Sequence, residues 1–456
     1  MQQQWEHSNT VTFIDSVCQR VHLHNQFDGA LYEKFDVKRG LRNADGTGVM
    51  AGITNIGNVR GYFIQDGERM PMPGQLIYRG YDVNHLIDDF HAEDRFGFEE
   101  VAYLLLVGEL PTREELRQFN AVLGEMYRLP DGFNEAVIFH APSPDVMNKL
   151  AAAVLNMYVY DPNPEPSTLE NGLKQALGLI ARTPVMVANS YNVKRHYYDN
   201  ESLTIHRPNP ELSIAENFLY SVRHDQSFTR EEARLLDLCL VLHAEHGGGN
   251  NSVFACRTLT SSGTDIYSAV AAAIGALKGP RHGGASKKVA QMMSHVEGNV
   301  ADWNDDDQIT DYLRKLLRKE AGDGSGLIYG MGHAIYTLSD PRAVRLKEYA
   351  RNVAESKGVL DRFTLIESVE RLTVRAYKEE HNLDKVMCAN VDMYSGFIYS
   401  MMGIPDDLHT PLFAVSRMVG WCAHRLEESF HAGGKIIRPA YKSVAPKQTF
   451  VPLSER

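Results

Sequence analysis

Gly330-Met331-Gly332-His333 sets a histidine directly behind two glycines, where backbone can come close to a ligand. Seven residues on, Asp340-Pro341-Arg342 has the form of a helix start, with Asp340 suited to the N-cap and Pro341 to the first helical position. Arg342 then falls in the first turn, the wrong end of a helix for a cation by the macrodipole alone. A bound anion would account for it. The stretch reads as an acid or hydrogen-bond donor, His333, beside a carboxylate clamp, Arg342. The bland alternative is a glycine turn, a surface histidine and an ordinary capped helix.

Three further places could hold chemistry. His243 and His246 lie three apart in what reads as a last helical turn, so they share a face. A helix C-terminus favours a protonated imidazole, which would set a cationic His246 beside a substrate anion; simple capping is the alternative. His282, in Gly279-Pro280-Arg281-His282-Gly283-Gly284, precedes a helix expected from about Ala285. The positive end of that dipole disfavours protonation and would keep His282 a neutral N–H donor to a carbonyl oxygen. Asp392, in Asn390-Val391-Asp392-Met393-Tyr394, stands at the head of an apolar helix. There it is either an N-cap or a general base whose pKa is raised by apolar neighbours.

The motifs that are missing narrow the chemistry. There is no His-Glu-x-x-His, and His243-x-x-His246 alone is too common to count, so no catalytic metal is expected. There is no phosphate-binding Gly-x-x-x-x-Gly-Lys-Ser/Thr loop and no Gly-x-Ser-x-Gly elbow. Gly330-x-Gly332 follows no clear strand, which argues against a dinucleotide fold. A formal charge of −11 argues against nucleic acid or an anionic membrane as the main partner, although an anionic substrate needs only a local cluster of cations. The five cysteines form no Cys-x-x-Cys pair and are odd in number, which fits a reducing compartment. No secretory signal, transit peptide or membrane span is apparent, so a soluble, intracellular, cytoplasmic protein is expected.

Positioning these groups requires a helical scaffold. At 456 residues and 43 % hydrophobic, the chain can build two domains, or one large domain with a lobe. Residues 1 to about 48 read as a loose or helical arm. Val59 to Ile64, Asp66-Gly67, and Gln75 to Arg79 read as a β-hairpin, the one convincing β region. Beyond it the pattern is helical. Thr112 and Glu115 form a capping box ahead of Leu116, Phe119 and Leu123 on one face. Thr229 and Glu232 form another, opening a helix expected to run through Leu236 and Leu240 to His246, where three glycines stop it. An alanine-rich helix from about Asp265 to Lys278 should be buried and closely packed. Asp302 to Asp307 reads as a polar surface turn, and Gly322 to Gly326 as a break. A long helix from Thr410 to about Glu428 reads as apolar except for Arg417 in its middle.

Taken together, these segments resemble the citrate synthase family. The likeness runs from Gln75-Leu76-Ile77-Tyr78-Arg79-Gly80-Tyr81-Asp82 through Gly108-Glu109-Leu110-Pro111-Thr112 and Leu242-His243-Ala244-Glu245-His246 to Gly279-Pro280-Arg281-His282-Gly283. It continues through Gly330-Met331-Gly332-His333, Asp340-Pro341-Arg342 and Asn390-Val391-Asp392, and closes with Ser416-Arg417 and Arg438-Pro439. Their common order and spacing carry the resemblance.

The resemblance implies a mainly α, two-domain helical fold with a small β-hairpin near the N-terminus. It implies an arm over 1–48, a large domain over 49–283 completed by 401–456, and a small domain over 284–400 that closes over oxaloacetate. It places the thioester-polarising histidine at His282, the oxaloacetate-polarising histidine at His333 and the base at Asp392. Carboxylate-binding positions fall on His246, Arg342 and Arg417, with Arg438 matching an arginine given by the partner subunit of a homodimer or larger assembly. The substrates would be oxaloacetate and acetyl-CoA, with no cofactor or metal. 2-Methylcitrate synthase, taking propionyl-CoA, shares the whole set and is the alternative. A metal-dependent hydrolase and a non-catalytic homologue rank lower. Many relatives carry a basic residue four after the histidine of the Gly-x-Gly-His run, where this chain has Thr337, and Tyr329 also departs from the usual pattern. Lys278, Lys287 and Lys347 are therefore the candidates for CoA phosphates.

Overall fold

The computed structural model describes residues 8–165, 168–382 and 386–456. The chain divides into two compact units, one formed by Ile53–Ile437 and one by the segments up to Gly52 and from Arg438 to Arg456. The second unit holds the N-terminal arm, which is helical over Ser8–His24 and Ala30–Lys34.

In the main unit, β1 (Gly57–Gln65) and β2 (Glu68–Tyr78) pair antiparallel as the expected hairpin, with Gln65 opposite Glu68. Asp66 and Gly67 both have positive φ (51° and 82°), the conformation that a two-residue hairpin turn needs to match strand twist. A third strand, β3 (Tyr81–Asp82), pairs with β2, because Arg79 and Gly80 (φ 49° and 92°) turn the chain straight back. Two residues show no alternation, so periodicity could not announce that strand. The sheet's close packing relies on glycine. A Cβ on Gly61 would lie 2.5 Å from the carbonyl oxygen of Ile335, and one on Gly74 2.2 Å from that of Ser339. The hairpin thus lies directly on the loop that follows His333.

The remainder is helical, and the capping signals act where they were read. Thr112–Glu115 and Thr229–Glu232 are complete capping boxes, and Ser213–Glu216 is another. The alanine-rich helix Ile266–Lys278, capped by Asp265, buries Ala269, Ala273 and Ile274 and packs on Asn251–Thr260 and Val146–Tyr160. Small side chains let these axes approach closely, and the burial of one apolar face supplies the stability.

Three expectations need correcting. The helix from Arg230 ends at His243, not His246, so His246 lies in the turn beyond it. Asp302–Asp307 is not wholly a surface turn: Asp305 caps the helix Asp306–Leu317, accepting from the backbone N–H groups of Asp307 and Gln308. The long helix spans His409–Phe430 and buries His424, Arg425 and Glu428 as well as Arg417. Each of these polar groups meets a partner on another element, which periodicity along one helix does not reveal. Among the described residues no helix is long and apolar enough to cross a membrane.

Candidate active site

The Gly330–His333 loop is held by the segment just before Asp392. Asn390 N–H donates to the Gly330 carbonyl (2.8 Å), Gly332 N–H to that of Cys388 (2.8 Å), and the Asn390 amide to that of Gly332 (2.9 Å). Asn390 also N-caps the helix Val391–Met401, accepting from Asp392 N–H. One asparagine therefore caps the helix that carries Asp392 and ties down the loop that carries His333. Asp392, freed from capping, sits in the first turn. Gly330 has φ +82°, and a Cβ there would come within 3.0 Å of Met393 and Val289. Gly330→Ala should therefore cost about 1–3 kcal/mol in stability and lower turnover. Calorimetric unfolding with parallel kinetics checks this, and an unperturbed variant would show that the tight fit is unnecessary.

The backbone N–H groups of Ile335 and Tyr336 both donate to His333 Nδ1 (3.1 Å each), so the ring N–H of His333 is at Nε2. Tyr336 stacks on the ring (4.6 Å between centroids), and the edge of His246 meets it at 5.2 Å.

Arg342 is 3 % exposed. Asp340 caps its helix as expected, but also takes the guanidinium, with Nε–Oδ1 at 3.0 Å and Nη2–Oδ2 at 2.7 Å. The cation in the first turn is thus answered first by its own capping carboxylate, not by a bound anion alone. Burial opposes the charge, while Asp340 more than restores it and holds the Arg342 pKa above the usual arginine value.

Arg417 differs. It is fully buried, its Nε donates to the His243 carbonyl (2.6 Å), and Nη1 and Nη2 have no hydrogen-bond partner. Burial pulls its pKa down to about 10, so it stays charged at neutral pH. An ion left in this state costs several kcal/mol, which an incoming carboxylate would recover.

The turn after His243 presents His246, which is 8 % exposed and whose Nε2 has no partner. Burial, then the positive charge of Arg342 among other neighbours, holds its pKa well below the ordinary histidine value. The expected cationic His246 is therefore a neutral imidazole: it lies past the helix end, and its neighbours are positive. Beneath it, Glu245 is fully buried, with Oε1 accepting from Gly247 N–H (2.6 Å) and lying 2.9 Å from His424 Nε2. Arg257 donates to His424 Nδ1 (2.8 Å) and pairs with Glu427 (2.7 Å) and Glu428 (2.9 Å). This buried chain braces the turn. His243 faces inward, its Nδ1 2.7 Å from the Cys239 carbonyl and its ring against Phe413.

His282 lies in the turn before the helix Ala285–Asn299, as expected. Ser252 N–H donates to its Nε2 (3.3 Å), which leaves the ring proton at Nδ1. Trp421 donates to Ser252 Oγ (3.1 Å), fixing the serine in turn. Burial first, then Arg417, pushes the His282 pKa down to about 4. The ring is neutral as anticipated, with burial the largest cause. Asp392 shows the opposite effect. Burial raises its pKa to about 6 against the lowering influence of Arg342 and Arg417, and Oδ1 has no partner.

Arg342 and Arg417 act electrostatically on His246 and Asp392, Arg417 also acts on His282, and His333 acts on His246. Arg438 belongs to the other unit and is exposed. The three lysines have carboxylate partners already: Lys278 with Asp145, Lys287 with Asp407, and Lys347 with Glu370. Thr337 is half-buried with an unpartnered Oγ1, and the Tyr329 hydroxyl donates to Asp323 (2.8 Å). Sequence reasoning missed Ser252, Glu245, His424 and Tyr336. Only Glu245 and Tyr336 stood beside flagged histidines. Among the described residues no cluster of histidine, cysteine and carboxylate could hold a metal ion.

Comparison with known proteins places the fold in a family. The family model described as citrate synthase, C-terminal domain, matches residues 44–440. Citrate synthase 2 of Bacillus subtilis is 33 % identical, over 84 % of this chain and 93 % of its own. 2-Methylcitrate synthase 1 of Corynebacterium glutamicum is 33 % identical over 92 % and 98 %. Among solved structures, the ternary complex of Thermoplasma acidophilum citrate synthase with carboxymethyl coenzyme A and oxaloacetate superposes with a TM-score of 0.74 at 26 % identity, covering 92 % of this chain and 99 % of that one. With a mainly helical fold, a small antiparallel sheet and a match over most of its length, the chain belongs to the citrate synthase family of acyltransferases.

Proposed function

We propose that this chain is a citrate synthase, condensing acetyl-CoA with oxaloacetate and hydrolysing citryl-CoA to citrate and CoA. The observation that carries the reading is the fully buried Arg417 guanidinium, whose two terminal nitrogens lack partners within a neutral-histidine, raised-carboxylate environment. Such a cation calls for a small dianion that enters dry. Arg342, Arg417 and His246 take the oxaloacetate carboxylates, and this holds one face of the keto group toward the second substrate. Arg438 of a partner subunit completes the clamp in a homodimer or larger assembly. The span 284–400 acts as the small domain that closes over oxaloacetate and excludes water before the thioester reacts.

The acetyl methyl group is a very weak carbon acid. Asp392 removes its proton while the Nδ1–H of His282 hydrogen-bonds the thioester oxygen, stabilising the enolate as it forms. The enol carbon attacks the keto carbon of oxaloacetate, and His333 supplies the Nε2 proton to the new alkoxide. Water then cleaves the thioester of citryl-CoA. A neutral His282 is necessary here because its fixed N–H must donate where negative charge develops, with no reorganisation at the moment of reaction.

Propionyl-CoA is the competing acyl donor, since the Corynebacterium relative is named a 2-methylcitrate synthase. One methylene separates the two by only about 1–3 kcal/mol, a matter of pocket shape and not of catalytic residues. The decisive assay measures thiol release from acetyl-CoA and propionyl-CoA, with and without oxaloacetate. Oxaloacetate-dependent release faster from acetyl-CoA is expected. Faster release from propionyl-CoA would favour the second reading, and release that ignores oxaloacetate would reject both.

A further inference from the structure

A cleft of 390 Å³ that includes none of these catalytic residues opens between the helices Val83–Ala92, Arg230–His243 and Pro341–Ser356. Its size is within the range of about 300–1,000 Å³ common for small-molecule sites. The floor is apolar, from Ile87, Phe90, Leu235, Leu238 and Val353. At the rim stand Arg95, Arg230 and Arg234 with the carboxylates Asp94 and Glu231.

These cations are not equally satisfied. Arg95 is surrounded by Asp89, Glu93 and Glu100. Arg230 and Arg234 both pair with Asp94, and Arg234 also acts through space on the buried carboxyl of Asp237, which lines the cleft. The Asp94 side chain is 71 % exposed, while its backbone is fixed: its N–H donates to the His91 carbonyl (3.1 Å) and its carbonyl accepts from Arg230 (2.7 Å). Its carboxylate lies across two guanidinium groups at the edge of an apolar trough, the position that the head of an amphiphilic anion would take.

The walls of the cleft lead to the active site. The helix Pro341–Ser356 has Arg342 in its first turn. The helix Arg230–His243 ends at the residue whose carbonyl holds Arg417. Ties bridge the walls on either side. Arg345 donates to Asn84 (2.8 Å) and Asp88 (2.7 Å), and Lys357 donates to Glu232 (2.8 Å). A ligand wedged between these ties would alter the spacing of the two helices that present the arginines.

We propose that this cleft is a second small-molecule site, which takes an organic monoanion with an apolar body and couples its binding to the oxaloacetate clamp. The coupling rests on the reading of Arg342 and Arg417 given above; the binding does not.

The probe is 1-anilinonaphthalene-8-sulfonate, an aromatic monoanion, titrated by fluorescence into the full chain with CoA and oxaloacetate present at saturation to block the active site. One saturable site per chain is expected. Asp94→Asn, which releases both arginines, should tighten binding about fivefold, and Arg234→Gln should weaken it by a similar factor. Val353→Trp, which fills the trough, should abolish it. Binding that is absent, or unchanged across these variants, overturns the site. Should Val353→Trp fail to fold, the opposed effects of the two rim variants still decide, each first shown folded by near-ultraviolet circular dichroism, because a loosened chain also takes up this dye. In kinetics, the probe should shift the KM for oxaloacetate in the wild type and leave it unmoved in Val353→Trp. An unshifted KM overturns the coupling, whereas loss of all condensation activity would count against the catalytic reading and not against the binding site.

Discussion

Asp392→Asn should lower kcat for condensation by roughly 10²–10⁴-fold, the usual contribution of a positioned general base, while oxaloacetate still binds. The amide keeps the shape and removes the proton acceptor. It also leaves Arg342, Arg417 and His246 in place, so a titration with oxaloacetate followed by protein fluorescence should give an affinity close to that of the wild type. The wild-type pH profile supplies an independent check. Burial raises the Asp392 pKa to about 6. A base works only when ionised, so kcat should fall as pH drops through that value and level off above it. Near-normal turnover in the variant, or a wild-type rate that does not fall on acidification toward pH 5, would remove Asp392 as the base.

Arg417→Met should raise the oxaloacetate KM by at least about 30-fold, corresponding to ~2 kcal/mol or more for a buried charge-assisted pair. It should do so with little change in the unfolding temperature, because the hydrogen bond lost from Nε to the His243 carbonyl is offset by relieved desolvation. The guanidinium is fully buried with two unpartnered nitrogens, so an apolar side chain of similar size relieves a desolvation cost in the ligand-free chain. Arg342→Leu offers the contrast. It should also raise KM, but it strands the fully buried Asp340 side chain, whose partner was that guanidinium, at a cost of about 3–5 kcal/mol. Thermal unfolding beside steady-state kinetics separates the two. Equal destabilisation by both variants, or an unchanged KM for Arg417→Met, would show that Arg417 is a structural ion and not part of the clamp.

Much of this site was legible before any coordinates, because its components announce themselves locally. Glycines with positive φ mark Gly330 and Gly332, and Pro341 after Asp340 marks a helix start. Even so, the function of a flagged residue did not always follow from its flag. Arg342 was noticed for opposing the helix polarity, and the structure answers that with Asp340. His246 was read as a cation at a helix end, and the helix stops three residues earlier. Ser252 and His424 gave no local sign, since each acts through a partner distant in sequence: Ser252 on His282, and His424 on Glu245, 179 positions away.

By itself, the order of residues determined the helical scaffold with its caps, the hairpin and its turn, and the identities of the groups able to do chemistry. These depend on interactions within a few residues, where backbone preference and side-chain spacing act directly. Tertiary structure alone decided which ring nitrogen of His282 and His333 carries the proton, that His246 is uncharged, that burial raises the Asp392 pKa to about 6, and that the two terminal nitrogens of Arg417 lack partners. Charge and tautomer answer to the loss of water around a group and to the donors that replace it. Those surroundings are assembled from segments that meet only once the chain has folded.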